Sequence, residues 1–319
     1  MQSRPSSRSL SPRLVTLGDL VLDIVVGAAA PIQRGTDVAG TIRFRAGGSA
    51  ANTARAFAAL GGAASFIGAI GRDGLGRRLI AALRADDVKV HAVRTAEPTA
   101  RLIAVLARGG ERSFITERGA ADALRPTDIS AAWLRRAGAL HLPIYSLLAA
   151  PLRDAAARAA DLARAEGALV SVDLASRRPL LDHGRATVRR RIERLAPDVV
   201  FGNVAEATAL AGSRSVRPLL ALAPVVVIKE GIAGCRVLWR ADAGAADSDV
   251  LELDVATRRL DVTDTTGAGD AFDAGFLHAL LGARPADGRP RAADLRRAAL
   301  AGHRAAGRLL GRPRPELAL

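Results

Sequence analysis

Aromatic side chains are scarce in this sequence: Phe, Trp and Tyr together make up 3% of its 319 residues. Readers of nucleic acid usually stack bases on such rings or carry a docking motif, and here no aromatic interleaves a basic run. This argues against a nucleic-acid partner despite a formal net charge of +14. All but two of the 46 basic residues are arginines, the exceptions being Lys89 and Lys229. With Ala and Gly also abundant, that skew reads as the mark of a GC-rich genome and of a solvated basic surface. Cysteine is almost absent. The lone Cys235 excludes a disulfide framework and a cysteine-rich zinc site, and it suits a reducing cytoplasm. The five histidines, His91, His141, His183, His278 and His303, lack metal-ligand spacing. No run of about 18 uncharged apolar residues occurs, so no membrane span or membrane partner is expected. Residues 1–12 are rich in Ser, Arg and Pro without an apolar segment and read as a disordered leader, not a secretion signal. Residues 312–319 read as a C-terminal tail.

What is present is the composition of a globular protein, 49% hydrophobic and 24% charged. Short β-branched runs alternate with Ala- and Arg-rich amphipathic stretches, the pattern of a parallel sheet flanked by helices. Strands are expected at 14–17, 64–70, 139–142, 169–172, 199–201 and 225–228. Helices are expected at 49–60, 76–84, 151–165, 185–195, 204–211, 268–281 and 292–310. A second texture interrupts the first half: 41–45, 101–106 and 113–116 read as antiparallel strands. The last two are joined by the turn Arg108-Gly109-Gly110-Glu111. These strands predict a small β lid over the mouth of the larger sheet.

The chemistry concentrates in Asp264-Thr265-Thr266-Gly267-Ala268-Gly269-Asp270-Ala271-Phe272. Two glycines and an alanine before a helix let the backbone approach a ligand closely. The exposed N–H groups at the helix start, with the dipole behind them, make an anion site. Asp270 falls in the first helical turn beside that anion. A carboxylate so close to a phosphate is costly unless it takes the proton of an attacking hydroxyl. No GxxxxGK[ST] loop and no protein-kinase signature accompanies it.

The segment Gly267-Ala268-Gly269-Asp270, preceded by Asp264-Thr265-Thr266, closely resembles the C-terminal signature of the ribokinase-like (PfkB) carbohydrate kinases. Further matches run in family order through residues 14 to 310. They are Gly18-Asp19-Leu20-Val21-Leu22-Asp23, Gly47-Gly48-Ser49-Ala50-Ala51-Asn52, Ile70-Gly71-Arg72-Asp73-Gly74-Leu75-Gly76, Asn203-Val204-Ala205-Glu206 and Lys229-Glu230-Gly231-Ile232-Ala233-Gly234. The resemblance implies a three-layer α/β/α sandwich with a central, mostly parallel sheet and a small β-strand lid. The kinase domain would span 13–311, with lid segments at about 24–46 and 98–118.

By the same resemblance, Asp270 is the catalytic base, and Gly267, Ala268 and Gly269 form the anion hole. Asp23, Gly47, Gly48, Asn52 and Arg118 would bind substrate; read from the residues alone, Asn52 also suits a helix start capped by Ser49, and Asp23 a turn. Lys229, Gly231, Gly234, Ala301 and His303 are expected near ATP, with Ala298 and Ala301 lining the adenine slot; read from the residues alone, Lys229 suits the surface equally and His303 suits it better. Asn203 and Glu206, one helical turn apart, suit magnesium held through water. Asp264 and Thr266 match positions that often hold a monovalent cation, commonly potassium. The Asp73 turn is expected to be structural, and Cys235 an inert core thiol. The implied activity is transfer of phosphate from ATP to a hydroxyl of a sugar or sugar acid, of the 2-keto-3-deoxygluconate or ribose type. A nucleoside kinase and a catalytically silent binding or scaffold relative are the alternatives. Similar kinases commonly dimerise through the lid, so a homodimer is expected.

Overall fold

The computed structural model describes residues 11–106, 112–240, 250–262, 264–283 and 290–318. Residues 1–10 of the expected leader and the expected turn at 108–111 lie outside them. In chain order the strands are β1 (Arg13–Leu17), β2 (Val21–Ala28), β3 (Gly40–Gly47), β4 (Ala63–Gly71), β5 (Lys89–Thr95), β6 (Arg101–Leu106), β7 (Arg112–Glu117), β8 (Ala139–Pro143), β9 (Leu169–Asp173), β10 (Val199–Asn203), β11 (Val225–Lys229), β12 (Cys235–Arg240) and β13 (Val250–Val255). The helices are α1 (Ser49–Ala58), α2 (Gly74–Ala85), α3 (Ala131–Leu134), α4 (Leu152–Ala165), α5 (Arg177–Asp182), α6 (Arg185–Leu195), α7 (Val204–Ala211), α8 (Ala268–Gly282) and α9 (Ala292–Leu310).

The large sheet has the order β13-β12-β11-β10-β9-β8-β1-β4-β5. From β5 to β11 all neighbours are parallel, and β12 and β13 extend the edge antiparallel. A parallel sheet is covered on both faces, so its central strands read as unbroken apolar runs such as Val225-Val226-Val227-Ile228. Alternate residues of these strands feed two cores. Val170, Val172, Val200 and Val226 join the core of α4, α6 and α7. Val199, Phe201, Val225 and Val227 join that of α1, α2, α8 and α9. This is the expected three-layer sandwich.

A second sheet has the order β3-β2-β6-β7. Its central strand β2 was not expected as a strand, and Asp23 lies within it, paired opposite Arg45 and Leu102, rather than in a turn. Strands β5 and β13, at the two ends of the large sheet, were also not expected. One face of the small sheet presents Val21, Asp23, Leu102, Phe114 and Thr116 to a cavity. By alternation the opposite face carries Ile24, Val26, Ile42, Phe44, Ile103 and Ile115. On that face Ile42 is 62% exposed and Ile115 67%. Asp73 is structural, as expected: its carboxylate caps α2 by accepting from the Gly76 N–H at 2.7 Å and holds the Thr99 N–H at 2.8 Å. No helix among the described residues is long and apolar enough to cross a membrane.

Candidate active site

Three neighbouring parallel strands end in a chemically active residue: β9 in Asp173, β10 in Asn203 and β11 in Lys229. Open α/β sheets bind ligands in the crevice outside the carboxyl ends of their strands. Here that crevice is a cavity of about 1070 Å³ between the strand ends, the start of α8 and the small sheet.

At the start of α8, Gly267 takes φ 80°, a left-handed value that favours glycine. The turn leaves the N–H groups of Gly267, Gly269 and Asp270 without a protein acceptor among the described residues. Ala268 departs from expectation, because its N–H donates to the Thr265 carbonyl at 3.1 Å. The Asp270 carboxylate points at α1, where Ser49 Oγ donates to Oδ1 at 2.7 Å and Asn52 Nδ2 donates to Oδ2 at 2.9 Å. Ser49 is therefore not the helix cap; the cap residue is Gly48. Arg55 donates to Asn52 Oδ1 at 3.1 Å, which turns the amide NH₂ toward Asp270. Burial pushes the Asp270 carboxyl up to about 6, and the Ser49 and Asn52 hydrogen bonds restrain the rise.

The two glycines before α1 have different tasks. A Cβ on Gly47 would lie 2.1 Å from Asp23 Oδ2, so Gly47 makes room for that carboxyl and does not itself line the cavity. Gly48, at φ 102°, lines it. Burial pushes Asp23 up to about 7. Arg118 reaches the cavity but is already partnered. It donates to Asp122 Oδ1 at 2.7 and 2.9 Å and to Asp19 Oδ2 at 3.4 Å, with its guanidinium over the Tyr145 ring.

Lys229 is not on the surface. Its Nζ donates to Asp173 Oδ1 at 3.0 Å and to Asp273 at 3.1 and 3.2 Å. Burial opposes the ammonium charge, but Asp173 and Asp273 outweigh it and hold the lysine protonated. Asn203 and Glu206 form a reciprocal cap on α7: the Glu206 N–H donates to Asn203 Oδ1 at 3.0 Å, and the Asn203 N–H to Glu206 Oε2 at 2.8 Å. Burial, with Asp173 nearby, pushes Glu206 up to about 7.

Toward the far end lie Gly231, Ile232, Gly234 and, from α9, Leu300, His303 and Gly307. His303 is half-buried, not a surface residue; its ring packs edge-on against Phe272, and its Nε2 lies 3.1 Å from the Val255 carbonyl oxygen. Ala298 and Ala301 are corrected, since neither lines the cavity. Ala298 is buried in the core, and the Ala301 carbonyl packs against Gly275 of α8. Asp264 stands apart from the cavity: it accepts from the Thr266 N–H at 3.0 Å, from Arg45 at 2.8 Å and from Arg314 at 2.6 Å. Cys235 is buried, and that burial pushes its thiol up to about 12, in keeping with an inert core thiol.

Ser49, Asp19, Asp173, Asp273 and Tyr145 escaped the sequence reading. Only Asp173 carried a usable signal, an acid closing an apolar strand.

A glycine-rich turn with open amides, a carboxylate in the first turn of the helix that follows and a second sheet across the cavity sit together on a ribokinase-like fold. The family model for the pfkB family carbohydrate kinases matches residues 12–315. The chain belongs to this family and is a carbohydrate kinase. Fructokinase-1 of Oryza sativa subsp. japonica is 32% identical over 288 residues, covering 85% of this chain and 84% of the relative. The adenosine kinase structure from Sinorhizobium meliloti superposes with a TM-score of 0.80 at 26% identity, covering 96% of each chain. A double-mutant fructokinase from Vibrio cholerae O395, in its fructose-, ADP- and potassium-bound form, has a TM-score of 0.74 at 24% identity, covering 96% of this chain and 94% of that one.

Proposed function

We propose that the protein transfers the γ-phosphoryl group of ATP to a hydroxyl of a neutral sugar of the fructose or ribose type, held under the small sheet, which acts as a lid. The observation that carries this reading is the Asp270 carboxylate, fixed by Ser49 and Asn52 beside three amides with no protein acceptor among the described residues. In the step, Asp270 takes the hydroxyl proton as the sugar oxygen bonds to the γ-phosphorus. The bond to the bridging oxygen breaks and ADP leaves. The amides of Gly267, Gly269 and Asp270 stabilise charge on the transferring group. Asp23, Gly48 and Asn52 hold the sugar, and closure of the lid, about 24–46 and 98–118, excludes water. Gly231, Gly234 and His303 border the nucleotide. Lys229 anchors Asp173 and Asp273 beneath the phosphates.

Magnesium, when bound, neutralises phosphate charge, and the oxygen-rich set of Asn203, Glu206 and Asp173 suits its hydrated shell. Potassium fits less well. The expected Asp264–Thr266 site has its carboxylate occupied by two guanidinium groups.

The choice of a neutral sugar rests on charge. Asp19 and Asp122 already pair with Arg118, and Asp23 adds another acid, so little positive potential is left for a sugar acid or sugar phosphate. A nucleoside is the second reading, favoured by the adenosine kinase likeness and by Phe114 at the cavity. A coupled ADP-release assay across fructose, ribose, 2-keto-3-deoxygluconate, fructose phosphate and adenosine should give its highest kcat/KM with a free sugar. Preference for the sugar acid overturns the neutral-substrate choice, and no turnover with any of them removes the kinase assignment for these acceptors.

The reading places the enzyme in the cytoplasm, where its buried thiol stays reduced. It also includes a homodimer formed through the apolar outer face of the lid around Ile42 and Ile115. Sedimentation should show a dimer that Ile42→Glu with Ile115→Glu converts to monomers; a wild-type monomer at micromolar concentration rules it out.

A further inference from the structure

The chain beyond α9 turns back across the molecule. The Leu317 N–H donates to the Phe44 carbonyl of β3 at 2.7 Å, Arg43 pairs with Glu316 at 3.5 Å, and Arg78 donates to the Ala318 carbonyl at 2.9 Å. The Leu317 side chain packs on the α1–α8 core. From this strap Arg314 reaches Asp264 Oδ2, the same atom that receives Arg45 of β3. The other carboxylate oxygen holds the Thr266 N–H. Three separate segments thus meet on one carboxylate, three residues before the phosphate-binding glycine. The arginines are well covered, Arg45 with 12% of its side chain exposed and Arg314 with 22%. Although burial acts upward on Asp264, hydrogen bonds from Thr266 and Arg314 hold its carboxyl well below the usual carboxylate range.

A monovalent cation on Asp264 needs several oxygen ligands and no competing positive charge. Arg45 and Arg314 present N–H donors instead, and bring two fixed charges to the atom such an ion would use. We infer that Arg45 and the C-terminal strap residue Arg314 are positioning residues that supply, from within the chain, the positive charge a bound monovalent cation would bring to the phosphate loop, so that this kinase is independent of potassium. Because Arg45 belongs to the small sheet and Arg314 to the strap, the same contact fastens both to the loop. The inference rests on reading Gly267 to Asp270 as the phosphate site.

The test uses the full chain without ATP or sugar, melted in KCl, NaCl and choline chloride at equal ionic strength. The wild type is expected to melt at one temperature in all three. Arg45→Ala with Arg314→Ala is expected to melt lower in choline chloride and to recover selectively in KCl, as Asp264 takes up the ion in place of the guanidinium groups. If the double variant does not fold, Arg314→Gln alone is measured in the same way. Selective stabilisation of the wild type by KCl overturns the inference, and so does a variant that melts like the wild type in every salt. These melts need no turnover. Failure to phosphorylate any sugar would therefore remove the kinase step while leaving the salt result to stand or fall alone. With an active substrate, the wild-type kcat/KM should be equal in the three salts, and that of the variant should fall in choline chloride and rise again in KCl.

Discussion

Asp270→Asn is expected to lower kcat by about 10²–10⁴-fold, the usual cost of losing a general base. The amide is isosteric and keeps a carbonyl oxygen to accept from Ser49 or Asn52. ATP affinity should therefore change little, because the backbone amides of the loop remain. Single-turnover rates with the best sugar, together with nucleotide titration, separate the two effects. A variant that retains the wild-type rate removes Asp270 from the role of base. The pH profile supplies a second check. Burial raises the Asp270 carboxyl to about 6, and only its ionised form accepts a proton. The wild-type kcat/KM should thus rise from pH 5 and level off above about pH 7. Asp23 and Glu206, each pushed up to about 7 by burial, titrate in the same window. The part that belongs to Asp270 is the part absent from the residual activity of the variant. A profile flat from pH 5 to pH 8 contradicts the assignment.

Lys229→Met should produce the largest loss of stability. Lys229 is 15% exposed at its side chain, and its partners Asp173 and Asp273 are more deeply buried still. Methionine matches the stem but leaves two carboxylates facing each other without a cation. Removing one member of a buried ion pair typically costs about 3–5 kcal/mol. Burial already pushes the Asp273 carboxyl up, and without the ammonium it would protonate more readily still, so the deficit should be greatest at alkaline pH and shrink as the pH falls. Urea unfolding followed by circular dichroism measures it as a lower midpoint with an unchanged slope. A midpoint equal to that of the wild type means that the lysine is dispensable to the fold, and its anchoring role fails with it. The expected effect exceeds that of an exposed pair such as Arg178–Asp182, whose contribution is about 0–1 kcal/mol.

The sequence by itself determined the layered architecture, the parallel core strands and the loop of Gly267 to Asp270. Apolar runs bounded by turns, helical periodicity and glycines before a helix are local signals, and each of them is written within a few consecutive residues. Only the tertiary structure decided where charge goes. Nothing near Lys229 in the chain announces that Asp173 and Asp273, 56 and 44 residues away, will close on it. Nor does Asp264 announce Arg45, at a separation of 219 residues. The same holds for β2, whose apolar run around Asp23 makes sense only once β3 and β6 flank it and Gly47 leaves space for the carboxyl. The adenine slot fails for a related reason. Small residues on α9 read as ligand-facing, yet Ala298 is buried in the core and the Ala301 carbonyl packs against Gly275 of α8, and composition cannot tell a surface that faces a ligand from one that faces protein. Side-chain periodicity is set by the backbone of one segment, whereas pairing of buried charges depends on which segments the whole fold brings to the same place.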